Sequence, residues 1–499
     1  MKLLFCAVIL SACSSRPRPA APAAAALPLD VRVQFSSFAN LTFELDCLTD
    51  HTICHQADYR ALWNRELLRT DEDRRMLASW KAIRNRYATS YELADDGPAS
   101  IEPPTASVDV GSRIAIAGLQ SRDLDDYLAH LDLLVLPRDR VRFHAVVRHF
   151  QPRFDAWWAR EAGPRGAAFV RATEALLASP VMGEHLRRFI AFYAPEMPRG
   201  RTMAIDLLYR PGLVHENSSG RQLDAHLLVE FFAEDEPASR ADVVFHELCH
   251  FLFASRSTAT QLAFQQRMLA AGSPITVPAF NLLDEGLATA FGGTVRRSQI
   301  TPDRWAKYLA TPRSMYNKPN IDLAGKTLLP IVDEWMASGK TLDDPSFVAR
   351  YLEAMTHAFG ARLASPAMRL VQLVLVIDDS LGEDLRLAVR RAIGPASTYT
   401  EIAPLATADL STFTSLPNTS ALLVIPRRAL PYLVTHKLAT ADQVRAMERA
   451  TQGGHGILYA IDRNPVATTY IVVADTPSTA KQQIERLAAA PALFTGLLE

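Results

Sequence analysis

The segment that most constrains the fold is residues 246–250, His-Glu-Leu-Cys-His, which has three apolar residues on either side. Uncharged apolar flanks predict a buried helix. On one face of such a helix His246 and His250 lie a turn apart, so both imidazoles can reach one metal ion. Glu247 can then act on a water molecule held by that ion. The alternative is an amphipathic helix that exposes both histidines to solvent.

A third metal ligand must come from further along the chain. The metzincin pattern requires Gly and His where this chain has Phe253 and Arg256, so that class is excluded. After the helix-breaking run 272–278, residues 281–291 read Asn-Leu-Leu-Asp-Glu-Gly-Leu-Ala-Thr-Ala-Phe and offer Glu285 on a second helix. Together the two segments resemble the gluzincin zinc metallopeptidases, and within them the aminopeptidase-N-like or peptidase MA group.

This resemblance implies a zincin-like catalytic domain with one Zn²⁺ per chain. His246, His250 and Glu285 are then the zinc ligands, and Glu247 is the general base. Two neutral imidazoles and one carboxylate would leave the ion positively charged, with an open position for water. The alternative for Glu285 is a solvent-facing position on its helix.

Two departures from the family pattern add further expectations. The interval between His250 and Glu285 is longer than usual, which predicts an inserted helix around 258–271. Thermolysin-like members carry an aspartate four residues after the ligand glutamate to orient a histidine, whereas this chain has Thr289 there. Asp284 is the candidate for that orienting role.

A hydrogen-bond donor for the oxyanion is the remaining catalytic requirement. Related gluzincins often use a tyrosine near a Tyr-x-Lys-Gly pattern that opens a helix. Tyr316 precedes the helical run 322–338 in a similar setting, although Pro319 replaces the final glycine. Tyr351 and His357 are competing donors. Tyr316 is the candidate, and the alternative is a tyrosine that only packs.

The run 223–231 alternates apolar and polar residues at its start and predicts a strand leading into the 246–250 helix. In zinc peptidases of this architecture the last strand before that helix is a sheet edge that pairs with extended substrate. The alternative is an ordinary strand without substrate contact.

The first residues predict export. The apolar run 3–12 is too short to span a bilayer and is typical of a signal peptide. It ends in Leu-Ser-Ala-Cys, which resembles a bacterial lipobox with Cys13 as the lipidated residue. Residues 14–28 form a Pro/Ala tether. We expect a lipid-anchored outer-membrane protein with its globular part in the periplasm; the alternative is a simply cleaved signal peptide.

Two of the five cysteines predict a disulfide. Cys47 and Cys54 lie seven residues apart in a loop-like stretch, and an exported protein meets an oxidising compartment. His51 and His55 lie beside them, so a small metal site is the alternative. Cys249, between the two histidines of the motif, is expected to be a small buried residue.

The whole chain predicts an α+β fold that is mostly helical. Residues 1–13 are the signal peptide and 14–28 the tether. A mostly helical N-terminal region (29–198), the zincin-like metallopeptidase domain (199–394) and a small C-terminal α/β domain (395–499) follow. The net charge of −1 and the absence of a basic run exclude an electrostatic surface for nucleic acid.

The expected function is zinc-dependent hydrolysis of peptide bonds in a peptide or protein substrate, with membrane attachment through the lipid on Cys13. The alternative is a non-catalytic zincin-fold lipoprotein that serves as a binding or scaffold module. The sequence leaves the oligomeric state and the cleavage specificity open.

Overall fold

The structure is a computed structural model. It describes residues 29–49, 64–65, 70–87, 110–196, 202–210, 220–273, 275–382, 384–395, 397–410, 413–414, 416, 419–464 and 466–498. These residues are mostly helical and include two mixed sheets, which is the predicted α+β class. None of the helices in this part of the chain combines the length and apolar character needed to cross a bilayer. The predicted signal peptide, Cys13 and the tether lie outside the described residues.

The described N-terminal part consists of one strand and a series of helices. These are β1 (Asp30–Gln34), α1 (Ser37–Leu48), α2 (Asp71–Tyr87), α3 (Val110–Gln120), α4 (Leu124–Leu131), α5 (Pro137–Trp157), α6 (Gly163–Leu177) and α7 (Pro180–Tyr193). Ser36, Asp123 and Ser179 each accept a backbone N–H at the start of α1, α4 and α7, which satisfies a donor that the helix leaves open.

The first sheet combines β1 with three strands that follow α7. These are β2 (Thr202–Arg210), β3 (Gly220–Leu223) and β4 (His226–Phe232), in the order β1-β2-β4-β3. β1, β2 and β4 are parallel, and β3 runs antiparallel to β4. The strand predicted at 223–231 is therefore β4, but β4 is internal and not the predicted edge. β3, a strand of only four residues, is the edge instead.

The predicted boundary at 198/199 does not separate two units. β1 pairs with β2, and one hydrophobic core runs from Leu29 to Val371. The N-terminal helices therefore pack into the same body as the helices that carry the motif. A strand pairing across this sequence separation leaves no local pattern, so the sequence could not indicate it.

Helices dominate the chain after β4. They are α8 (Ala241–Ala254), α9 (Thr258–Ala270), α10 (Thr276–Gln299), α11 (Pro302–Ala310), α12 (Pro319–Ser338), α13 (Phe347–Phe359) and the short α14 (Pro366–Arg369). α8 carries the 246–250 motif on a buried helix, as predicted. α9 confirms the helix expected around 258–271, and α12 confirms the run expected at 322–338.

A second sheet occupies the C-terminal part. Its elements are β5 (Gln372–Ile377), α15 (Asp384–Ala392), β6 (Ser397–Ile402), β7 (Ala421–Ile425), α16 (Leu430–Thr435), α17 (Ala441–Ala450), β8 (Ile457–Asn464), β9 (Ala467–Val473), α18 (Pro477–Ala489) and β10 (Gly496–Leu497). The strand order is β10-β8-β9-β7-β5-β6. β6, β5, β7 and β9 are parallel, and β8 and β10 are antiparallel to their neighbours. An apolar core covers each face of the sheet.

The predicted boundary at 394/395 is wrong, because it cuts this second sheet. β5 pairs with both β6 and β7, and the core on one face begins at Leu370. The α/β unit therefore starts at about residue 370. Residues 373–377 are buried on both faces, so they lack the apolar–polar alternation that marks a half-exposed strand.

Candidate metal centre

Two helices bring the predicted metal ligands together. His246 and His250 lie one turn apart on α8, and Glu285 comes from α10, which packs along α8. The Nε2 atoms of the two histidines are 3.1 Å apart. Glu285 Oε2 lies 3.5 Å from Nε2 of His246 and 3.8 Å from Nε2 of His250. One ligand atom from each residue lies within 4.8 Å of the others.

These donors fit a zinc ion. Bonds of about 2.0–2.1 Å in tetrahedral geometry place ligand atoms roughly 3.3 Å apart, close to the three separations observed. Glu285 Oε2 is buried without a hydrogen-bond partner, although it points at two imidazole nitrogens. A buried oxygen in that position requires an explanation, and a shared metal ion supplies one. Two imidazoles and a carboxylate are also the donor types that zinc prefers.

Close helix packing positions the ligands. A Cβ added at Gly292 of α10 would lie 2.9 Å from the Asp242 carbonyl oxygen of α8 and 3.6 Å from the Cβ of His246. Only a glycine lets the two helices approach this closely. Asp242, in the first turn of α8, is an acidic residue at the positive end of the helix.

Thr289, four residues after Glu285, faces another helix. A Cβ added at Gly325 of α12 would lie 2.7 Å from the Cβ of Thr289. Thr289 is buried in this contact, which has no space for a hydrated carboxylate. An aspartate there would be buried against α12.

Asp284, the candidate for orienting a histidine, contacts His250. Its Oδ2 lies 3.0 Å from His250 Nδ1, the ring nitrogen that faces away from the other ligands. This contact fixes the ring so that Nε2 points into the cluster. Burial opposes a charge on His250, but the carboxylates of Asp284 and Glu285 outweigh it and raise the pKa of His250 to about 10. Burial likewise opposes ionisation of Glu285, but the two histidines lower its pKa to about 2.

Glu247 lies beside the cluster and under the edge strand. It is buried, and burial raises its pKa despite the nearby histidines. A Cβ added at Gly220, the first residue of β3, would lie 2.6 Å from the Cγ of Glu247 and 2.7 Å from its Cδ. The backbone of β3 therefore passes directly over the Glu247 carboxylate. Gly220 is a site residue that the sequence analysis missed, because it precedes the motif by many residues.

Tyr316 lies at the centre, as predicted. Its ring centroid is 5.6 Å from that of His246. Burial and the carboxylates of Glu285 and Glu247 raise the pKa of Tyr316, so its hydroxyl keeps the proton. The segment that carries it is held by Asp322 of α12, whose Oδ1 accepts the backbone N–H of Met315 at 2.9 Å and of Tyr316 at 3.3 Å. The sequence gives no signal for Asp322 beyond its place in the first turn of α12.

The two competing donors lie elsewhere. Tyr351 is fully buried on α13, and its hydroxyl donates to the carbonyl oxygen of Ala279 at 2.5 Å. His357 is on the exposed side of the same helix. Tyr316 is therefore the one of the three candidates that the fold brings to the metal ligands.

Lys318 links the centre to the α/β unit. Burial lowers its pKa, and the nearby Glu285 carboxylate opposes that shift. Its Nζ donates to the carbonyl oxygen of Pro395 at 2.7 Å. Lys318 is the lysine of the Tyr-x-Lys pattern, to which the sequence analysis gave no role.

Cysteine positions agree in part with the predictions. Cys47 is buried and disulfide-bonded, whereas Cys54, His51 and His55 lie outside the described residues, so the Cys47–Cys54 pairing stays a prediction. Cys249 is a free, buried thiol, as expected.

Comparison of the chain with protein-family models, curated proteins and solved structures found no match. The chemistry of the centre is therefore inferred from the distances, burial and charges of its residues.

Proposed function

We propose that this protein is a zinc-dependent peptidase with a zincin-like catalytic domain of the gluzincin type. One observation carries the proposal. His246, His250 and Glu285 present three ligand atoms within 4.8 Å of one another, and Glu247 and Tyr316 lie beside them. A metal site that serves only structure has no need of an additional buried carboxylate and a protonated phenol.

Zinc held by these ligands would supply a Lewis acid that polarises a water molecule and the substrate carbonyl. Glu247 would accept a proton from the attacking water and pass it to the leaving amine. Its raised pKa brings it closer to the range in which a carboxyl group can both accept and donate a proton. The Tyr316 hydroxyl is the hydrogen-bond donor for the oxygen on which negative charge develops.

The edge strand β3 is the place for the substrate backbone. Within the described residues it pairs with β4 on one side and with no strand on the other. An extended peptide that pairs with this free side gains main-chain hydrogen bonds with little demand on its sequence. Since Gly220 lies against Glu247, such a peptide would run past the general base.

We propose the bacterial periplasm as the location, with attachment to the outer membrane through a lipid on Cys13. The support is the apolar run 3–12, which ends in Leu-Ser-Ala-Cys. The disulfide at Cys47 also agrees with an oxidising compartment.

Zinc analysis and peptide cleavage test the enzymatic proposal together. The purified protein should contain one zinc per chain and cleave members of a peptide library. Glu247→Gln should keep the zinc and lose about 10²–10⁴-fold in rate, the usual contribution of a general base. Glu334→Gln, an exposed glutamate on α12, is the matched control and should change neither property. Zinc-loaded protein without any cleavage would favour the scaffold alternative, and zinc-free protein would refute the metal site.

A further inference from the structure

The α/β unit contains a polar cavity that the proposed peptidase centre does not use. Its volume is about 330 Å³, and it lies where α14, the β8–β9 hairpin and the C-terminal segment meet. The C-terminal segment is held there by a hydrogen bond from Leu493 N to the carbonyl oxygen of Ala364. We propose that this cavity binds a small ligand with an α-carboxylate and an adjacent N–H donor, as in a free amino acid or the C-terminal residue of a peptide.

Arg369 is the first reason. This residue ends α14 and lines the cavity, yet it is only 6% exposed. Its one hydrogen bond to a side chain, from Nη1 to Thr468 Oγ1, is long at 3.5 Å, and its Nε has no partner. Among the described residues no carboxylate lies within ion-pair distance of its guanidinium. A buried cation without an anion is costly, so an anionic ligand would satisfy it.

Asp462 is the second reason, because it restricts the kind of anion. Its Oδ1 accepts from Thr468 Oγ1 at 3.0 Å and its Oδ2 from Thr495 Oγ1 at 2.7 Å. The cavity therefore has a positive group at Arg369 and a negative group at Asp462, with Thr468 between them. A carboxylate can pair with Arg369 in a bidentate manner, and a nearby ammonium or amide N–H can pair with Asp462. The Asp462 charge would repel a phosphate dianion.

The position in the fold argues against a nucleotide. Arg369 precedes β5 and Thr468 is the second residue of β9, so the cavity lies at the amino ends of the parallel strands. Open α/β sheets bind nucleotides at the opposite, carboxyl ends. The volume is at the lower end of the range for small-molecule pockets, and Leu493 and Phe494 offer apolar contact for a short side chain.

Calorimetric titration of the full-length protein tests this proposal. L-Alanine, N-acetyl-L-alanine, L-alaninamide and inorganic phosphate are the probes, and none of them contains a peptide bond between two amino acids. Saturable binding of L-alanine identifies a free amino acid as the ligand, and saturable binding of N-acetyl-L-alanine alone identifies a peptide C-terminus. L-Alaninamide, which lacks the carboxylate, should not bind. No saturable binding of either carboxylate, or tighter binding of phosphate, would overturn the proposal.

Variants locate the binding in this cavity. Arg369→Gln should weaken carboxylate binding at least about tenfold, because a charge-assisted hydrogen bond is lost. Arg369 is buried, and its substitution could prevent folding. In that case Asp462→Asn and Thr495→Val, at the exposed rim, test whether the carboxylate probe binds in this cavity, and both should weaken its binding. Glu485→Gln, an exposed position on α18, is the control and should bind normally. Unchanged affinity in Asp462→Asn and Thr495→Val would place the ligand elsewhere and overturn the proposal.

Discussion

Gly220→Ala is the substitution that examines the contact between the edge strand and the general base. The added methyl group would lie 2.6 Å from the Cγ of Glu247 and 2.7 Å from its Cδ. Ordinary contact between carbon atoms is about 3.5–4.0 Å, so the two groups must separate by roughly 1 Å. β3 is held by its pairing with β4, from Gly220–Val229 to Leu223–His226. The Glu247 side chain is the part that can move.

A displacement of about 1 Å at a catalytic group costs about 10²-fold in rate. We therefore expect kcat/KM for peptide cleavage to fall about a hundredfold in Gly220→Ala. Zinc content should remain at one per chain, because the three atoms nearest to the added methyl group belong to Glu247 and not to the three ligands. Crowding in a packed region typically costs about 1–3 kcal/mol, so the protein should fold with a modestly lower melting temperature.

The assay pairs cleavage kinetics with zinc analysis and thermal melting on the same preparations. Glu334→Gln, an exposed position on α12 outside β3, is the control and should change none of the three properties. Unchanged kcat/KM in a zinc-loaded Gly220→Ala protein would refute the reasoning. Either Glu247 would not be the base, or β3 would not lie against it during turnover.

Three further substitutions test separate parts of the structure. Tyr316→Phe removes the oxyanion donor and should lower kcat about 10²–10³-fold with unchanged zinc content, as measured by steady-state kinetics; unchanged kcat would exclude Tyr316 from that role. Asp284→Asn loosens the orientation of His250 and should weaken zinc binding about 10–100-fold in a chelator competition. An affinity equal to that of the wild type would show that Asp284 does not support His250. Glu44 is buried beside Arg210, and burial raises its pKa to about 8, so the folded state holds a proton there that the unfolded state releases near the ordinary value of 4.5. The Glu44 carboxyl therefore contributes most to the free energy of unfolding at pH values below its ordinary pKa, and this contribution falls as the pH rises towards its pKa in the folded state. Glutamine cannot release a proton, so the melting temperature of Glu44→Gln should vary less between about pH 5 and about pH 8 than that of the wild type. An equally steep pH dependence in the variant would contradict this.

The sequence predicted the helices of the candidate centre because their signals are local. The 246–250 motif lies in α8, and α9 was expected from the length of the interval before Glu285. The sequence also offered Asp284, because it is a carboxylate next to Glu285 on the same predicted helix. Each of these inferences needed only a short window of residues and the geometry of a helix.

Features that depend on distant parts of the chain were missed. β1 pairs with β2, and Gly220 packs on Glu247, without any local pattern that indicates either contact. β5 was missed for a different reason, because it is buried on both faces and resembles the apolar helices before it. The resemblance placed the edge at the last strand before α8, which is β4, whereas β3, at four residues, is too short to show a strand period.

X-ray diffraction at the zinc absorption edge tests the central claim most directly. We predict one anomalous peak per chain, within bonding distance of His246 Nε2, His250 Nε2 and Glu285 Oε2. Absence of a peak at this position in crystals grown with zinc, or a peak bound by other residues, would contradict the proposed metal centre.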